Sequence, residues 1–125
     1  HRDYNLISCG VLDDAVASLA LGHADAMLAR NRALVRENLQ ILDRWIASQP
    51  HFYYTKPQAG TTALVFYDFP IPSYDFCKRL YDETGAFVTP GDCFEQPQSM
   101  RIGYACDRES LENGLATLAA FAKTL

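Results

Sequence analysis

GAFVTPGDCFEQPQSMRIGYA, residues Gly85 to Ala105, decides how the rest of the chain is read. It divides into strand, polar loop and strand. Ala86 to Thr89 is a short β-prone run. Pro90-Gly91 interrupts it, and Pro97 has no N–H for a ladder bond, so the middle is loop. Met100 to Ala105 then alternates, with Arg101, Gly103 and Ala105 on one face and Ile102 and Tyr104 on the other. The arginine shares its face with a glycine and an alanine, which leave room beside it. A planar guanidinium with that room can grip a carboxylate through two parallel hydrogen bonds. The same spacing also fits an ordinary strand-end arginine that snorkels to water or pairs with a nearby acid.

Working outward, Ser73 is the expected N-cap of a helix over Tyr74 to Thr84, with Phe76, Cys77, Leu80 and Tyr81 on its apolar face and Gly85 closing it. On the other side, Asp107 is placed to cap a final helix buried through Leu111, Leu115, Leu118 and Phe121. Thr61 to Tyr67 is the clearest strand, and His51 to Thr55 a second aromatic run, with turn chemistry between them at Lys56 to Gly60. Upstream, His23 to Ser48 carries apolar pairs every three to four residues up to Pro50. At about 1.5 Å per residue, some 25 residues make a rod of roughly 37 Å, longer than one small domain needs. Asn31 and Asn38 fall within its apolar stripe, where an unpaired amide is costly. Either one end of this helix packs on something outside the chain, or it is a plain amphipathic helix with asparagines at the stripe edge. A short helix precedes it, started by Asp13-Asp14 and expected to end at Gly22 in a left-handed conformation.

This order of elements predicts an α/β fold: a small mixed or antiparallel sheet packed against helices in a layered sandwich, with one long helix at the N-terminal side. The 125 residues suit a single domain over 1–125. Composition is that of an ordinary globular protein, 49% hydrophobic and 21% charged. A net charge of −4 with no basic stripe argues against a nucleic acid or an anionic membrane as partner. No apolar run approaches a membrane span, and no charged-then-apolar leader marks export, so the expected location is the cytoplasm. Cys9, Cys77, Cys93 and Cys106 are widely spaced, which reads as reduced thiols rather than a zinc site. The chain opens His1-Arg2-Asp3 and enters directly on a strand-like run, so it is read as a piece of something longer.

The order of glycine, apolar run, Pro90-Gly91, Phe94, a proline-containing loop, Arg101-Ile102-Gly103-Tyr104-Ala105 and a helix-start acid resembles the C-terminal segment of fold-type-I, pyridoxal-phosphate (PLP)-dependent aminotransferases of class I/II. The resemblance extends to the opening Tyr4-x-x-Ile7-Ser8, the long helix with Arg30-Asn31-Arg32 and Trp45, and the Gly60 strand ending in Asp68-x-Pro70. It implies the family's C-terminal small domain, with residues 1–22 at the junction to a missing large domain. Arg101 would bind the substrate's α-carboxylate, and the 90–98 loop would be a flap that follows substrate in. Cys93 and Glu95 lie in that loop as further candidates for substrate contact. Glu95 departs from the glycine many relatives carry there, and either favours a cationic substrate side chain or is simply solvated. Arg2, Tyr4 and Ser8 would lie on a segment that reaches the neighbouring subunit's active site in a homodimer.

PLP chemistry needs a lysine that condenses with the cofactor aldehyde. The lysines here, Lys56, Lys78 and Lys123, sit in a turn and on two solvated helix faces, without the family's small and hydroxyl neighbours. The resemblance therefore implies an enzyme that acts on amino-acid and 2-oxo-acid substrates with PLP held by an upstream lysine, and an isolated fragment that is inactive and holds no PLP covalently. Other PLP-dependent lyases and synthases share the domain. A non-catalytic α/β module that binds a small acid on the Arg101 face is compatible with the composition, and an upstream lysine in a Ser/Thr-rich context would exclude it.

Overall fold

The computed structural model describes residues 10–125, and these divide into two units, one ending at Ala33 and one running Leu34–Leu125. The first holds α1 (Val11–Gly22) and the beginning of α2 (Ala24–Ser48). Asp13 and Asp14 occupy the first turn of α1, where carboxylates meet unpaired N–H groups. No α1 side chain is buried. Gly22 does not take the expected left-handed conformation; positive φ among the glycines is confined to Gly60 and Gly85. Gly22 is the last residue of α1, and His23 (φ −115°) alone separates it from α2. A helix that restarts one residue later has no use for the chain reversal a left-handed cap produces.

The second unit continues α2 and then runs β1 (Phe52–Tyr54), β2 (Thr62–Tyr67), α3 (Ser73–Thr84), β3 (Thr89–Pro90), a 3-10 turn (Gly91–Phe94), β4 (Ser99–Gly103) and α4 (Arg108–Ala122). The sheet has the order β1-β2-β4-β3 and every pairing is antiparallel. Leu64 of β2 and Thr89 of β3 both stand opposite Arg101, which places the arginine on an interior strand.

Alternation along the strands separates the two faces. Ala63, Val65, Tyr67, Met100, Ile102 and Tyr104 are buried and form the core with Leu42, Ile46, Phe76, Leu80 and the Leu111, Leu115, Leu118 and Phe121 stripe of α4. The opposite face carries Tyr53, Leu64, Phe66, Arg101 and Gly103, all exposed or half-buried. The structure is thus an α/β layering with helices against one face of the sheet.

Three local expectations are corrected. The run Ala86 to Thr89 is not a strand throughout: pairing begins at Thr89 and includes Pro90. The intervening residues carry the chain from Gly85, the left-handed cap of α3 (φ 76°), to the sheet, so the backbone meets β4 only at Thr89. Ser73 does not cap α3; it is the first residue of the helix, and its buried Oγ accepts from the Ser99 N–H at 3.2 Å. The cap comes instead from the distant Asp92, whose carboxylate accepts from the Tyr74 N–H at 3.0 Å. Tyr81 is exposed, because it lies one residue past Leu80 and so falls at the edge of the buried stripe Ser73, Phe76, Cys77 and Leu80; its ring packs edge-on against the exposed Phe87. Asp107 caps α4 as expected, accepting from Ser110 N–H at 2.9 Å.

Candidate functional site

Arg101 projects from the uncovered face of the sheet. Its Nη2 donates to Thr89 Oγ1 at 3.4 Å, and its guanidinium carbon lies 4.8 Å from the centroid of the Phe94 ring. Among the described residues, ion pairs join His51 to Asp68, Lys56 to Asp43, Lys78 to Asp82, Arg79 to Glu83 and Arg108 to Glu112, and Arg101 belongs to none of them. Five N–H donors with one long contact leave most of the fork available to an anion. Gly103, two residues along on the same face, has no atom within 4 Å of where a Cβ would stand. The room read from the glycine is present.

The loop beside the arginine is stitched rather than loose. Gln96 N–H donates to the Gly91 carbonyl at 3.0 Å, Ser99 Oγ to the Gln96 carbonyl at 2.7 Å, and Gln98 Nε2 to the Phe69 carbonyl at 3.1 Å. Asp92 ties the 3-10 turn to the start of α3, where the helix dipole favours its charge. Gly91 is buried, and a Cβ there would overlap Ser99 Oγ and the Gln96 carbonyl. Two non-glycine residues, Glu95 (φ 56°) and Gln98 (φ 53°), take the left-handed conformation, which costs about 1 kcal/mol each and persists only where surroundings enforce it.

Cys93 lies in the 3-10 turn and Glu95 at its end, both exposed. The Phe94 ring between them is the one that meets the guanidinium; neither Cys93 nor Glu95 hydrogen-bonds Arg101. Arg2, Tyr4 and Ser8 lie outside the described residues. Two contributors were missed in the sequence: Phe94 appeared only as a pattern residue, and Asp92 as loop. An aromatic within the loop that leads into an arginine strand was the available signal for the first. The second had none, because its partner, Tyr74, lies in another element.

Farther along the same exposed face, Tyr53 and Phe66 stack with centroids 5.6 Å apart. Behind β4, Asn38 is buried and donates to the carbonyls of Tyr104 and Cys106 at 2.9 and 2.8 Å, answering the cost its place in the stripe implied. Lys56, Lys78 and Lys123 are all exposed, and the first two are committed to Asp43 and Asp82. No cluster of metal-ligating side chains occurs among the described residues, and no described helix is long and apolar enough to cross a membrane.

Comparison with known proteins finds matches over nearly the whole chain. The family model for aminotransferase class I and II matches residues 3–118. Capreomycidine synthase from Streptomyces vinaceus is 35% identical over 119 residues, 94% of this chain and 31% of that protein. A PLP-dependent aminotransferase from Streptococcus suis 89-1591 superposes with a TM-score of 0.95 at 42% identity, over 98% of this chain and 33% of its own. A PLP-dependent cyclase, OrfR, gives a TM-score of 0.89 at 27% identity, over 98% of this chain and 34% of its own. The chain thus spans about a third of the length of the relatives it matches.

Proposed function

The chain belongs to the class I and II aminotransferase family, and from that premise we propose that it is the small domain that binds the substrate carboxylate in a PLP-dependent aminotransferase. The intact enzyme would move an amino group between an amino acid and a 2-oxo acid. The observation that carries this reading is an arginine on an interior strand of the sheet, exposed and free of any described carboxylate partner. Other exposed arginines among the described residues, Arg30, Arg32, Arg36 and Arg44, are also outside the ion pairs, but they lie on α2. Arg101 instead stands on an interior strand with open space at Gly103. That placement leaves its fork room for the carboxylate of a molecule brought in from outside.

The described residues do not fit the cofactor itself. Its aldehyde needs an amine held unprotonated in a shielded pocket, whereas all three lysines are exposed and two lie in ion pairs. PLP, which supplies an electron sink when bound, would be held by the large domain of the intact enzyme, and the fragment alone would be inactive. Residues 1–22 form the junction to that domain in this reading. We further place the enzyme in the cytoplasm as a homodimer, with Arg2, Tyr4 and Ser8 directed to the neighbouring subunit. The family resemblance is what supports the homodimer.

Arg101 then orients substrate. Two parallel bonds to the α-carboxylate fix the amino acid in position and orientation, which lowers the barrier without Arg101 exchanging a proton. Cys93 and Glu95 neighbour Phe94 in the same loop, and Glu95 would favour a cationic substrate side chain. In the full-length enzyme, Arg101→Lys keeps the charge and loses the fork, so KM for the amino acid should rise about tenfold or more. An unchanged KM removes the assignment.

A second reading has support of its own. The likenesses to a synthase at 35% and a cyclase at 27% identity favour a PLP-dependent synthase or lyase on the same scaffold. Turnover that depends on an added 2-oxo acid separates the two, since only a transaminase needs that second substrate.

A further inference from the structure

We infer that Phe94 is a positioning residue for Arg101: its ring holds the guanidinium over the open face of the sheet without consuming the hydrogen-bonding fork. The inference rests on the proposed role of Arg101 and adds a residue to it. An arginine on an exposed strand face has four side-chain dihedrals to order before it can grip anything, and a substrate that orders them gives up affinity in doing so. Here two contacts do the ordering in advance. Thr89 Oγ1, directly across the ladder, accepts from Nη2 at 3.4 Å, and the Phe94 ring lies 4.8 Å from the guanidinium carbon.

The choice of an aromatic partner has a chemical consequence. A carboxylate in this position would hold the guanidinium more firmly but would occupy the N–H pair that a substrate carboxylate needs. The negative face of a phenyl ring attracts the cation and accepts none of its strong hydrogen bonds. It also shields one side of the guanidinium from water, which strengthens a charge-assisted bond made on the other side.

The ring is itself well placed to serve as a fixed support, since it closes a turn that is fastened on both sides. Asp92 is bound to the N-terminus of α3, and Gln96 and Ser99 close the turn back on Gly91. Buried Gly91 leaves no room for a side chain, so the turn packs directly against the start of β4. The loop thus holds Phe94 against the arginine through contacts made within the chain itself.

The test compares Phe94→Leu, Phe94→Tyr and Arg101→Lys in the full-length enzyme, with kcat, KM for the amino-acid substrate and the thermal midpoint measured for each. Phe94→Leu retains bulk and loses the ring quadrupole. Its KM should rise about three- to fivefold with kcat within about twofold of wild type and the midpoint unchanged. Phe94→Tyr restores the ring and should restore KM. The inference is overturned if Phe94→Leu binds as wild type does while Arg101→Lys raises KM. It is equally overturned if Phe94→Leu lowers kcat and the midpoint together, or if Phe94→Tyr fails to rescue. Should Arg101→Lys itself leave KM unchanged, the carboxylate-binding reading has failed and this inference fails with it, a result distinct from the other three.

Discussion

Asn38 Nδ2 donates to the carbonyl oxygen of Tyr104 at 2.9 Å and so fastens the long helix to the end of the strand that presents Arg101. With a second bond to the Cys106 carbonyl at 2.8 Å, one buried amide serves both strand-end acceptors. Asn38→Ala leaves those carbonyls without a donor and opens a small cavity, at a cost of about 2–4 kcal/mol. Asn38→Asp should cost at least as much near neutral pH, since a carboxylate has nothing to donate. Urea unfolding of wild type and variants checks both, and a loss below about 0.5 kcal/mol in Asn38→Ala would show that the clamp does not hold the helix.

Gly91→Ala should be among the most damaging single-methyl additions in the chain. The new Cβ meets Ser99 Oγ and the backbone carbonyl of Gln96, so the turn must move. Overpacking of this kind costs about 1–3 kcal/mol. Because Phe94 rides on the same turn, substrate KM should rise along with the loss of stability. Gly114→Ala makes the matching control: it lies in α4 with no atom near the added methyl, and should be neutral or stabilising by up to about 1 kcal/mol.

Thiol labelling should sort the three described cysteines. Cys93 and Cys106 are exposed, whereas Cys77 is buried, and burial pushes its thiol up to about 12. Under native conditions an alkylating reagent should modify the first two and reach Cys77 only after unfolding, because the reacting form is the thiolate. Mass spectrometry of labelled peptides reads the pattern directly. Labelling of Cys77 at the rate of Cys93 would place it outside the core.

Asp43 links α2 to β1 by accepting from Lys56 Nζ at 2.6 Å and Tyr54 Oη at 2.7 Å, and the Lys56 bond, followed by the Tyr54 bond, holds its carboxyl below the usual range. A depressed folded-state value stabilises above the unfolded-state pKa, about 3.9, and that stabilisation is lost as pH falls through the folded value. The carboxylate is 40% exposed, so its contribution is about 0.5 kcal/mol after screening. Asp43→Asn should be less stable than wild type at neutral pH and converge with it in acid. A difference that stays constant down to about pH 2 would contradict the linkage.

How much of this was legible in the sequence follows from the range of the interactions involved. The alternation around Arg101, the apolar stripe of α4 and the caps Asp107 and Gly85 depend on neighbours within a few residues, and the structure has each of them. Ser73 shows the limit of that reading: a hydroxyl at a helix start looks like a cap, yet this one is turned inward to Ser99, and Asp92 takes the capping role from eighteen residues away. The Phe94 contact was hidden for a related reason, since which residue of the loop returns to the strand depends on left-handed backbone at Glu95 and Gln98 that neither residue type announces. Asn38 lay between these cases. Its place in an apolar stripe signalled that a partner must exist, while the identity of that partner required the fold.

The most direct measurement compares an α-amino acid substrate with the corresponding primary amine, which lacks the carboxylate, in the full-length enzyme and in its Arg101→Leu variant. If Arg101 holds the carboxylate, the variant loses about 10- to 100-fold in kcat/KM for the amino acid and almost nothing for the amine, so the preference between them collapses. Equal losses for both compounds, or none for either, would contradict the account.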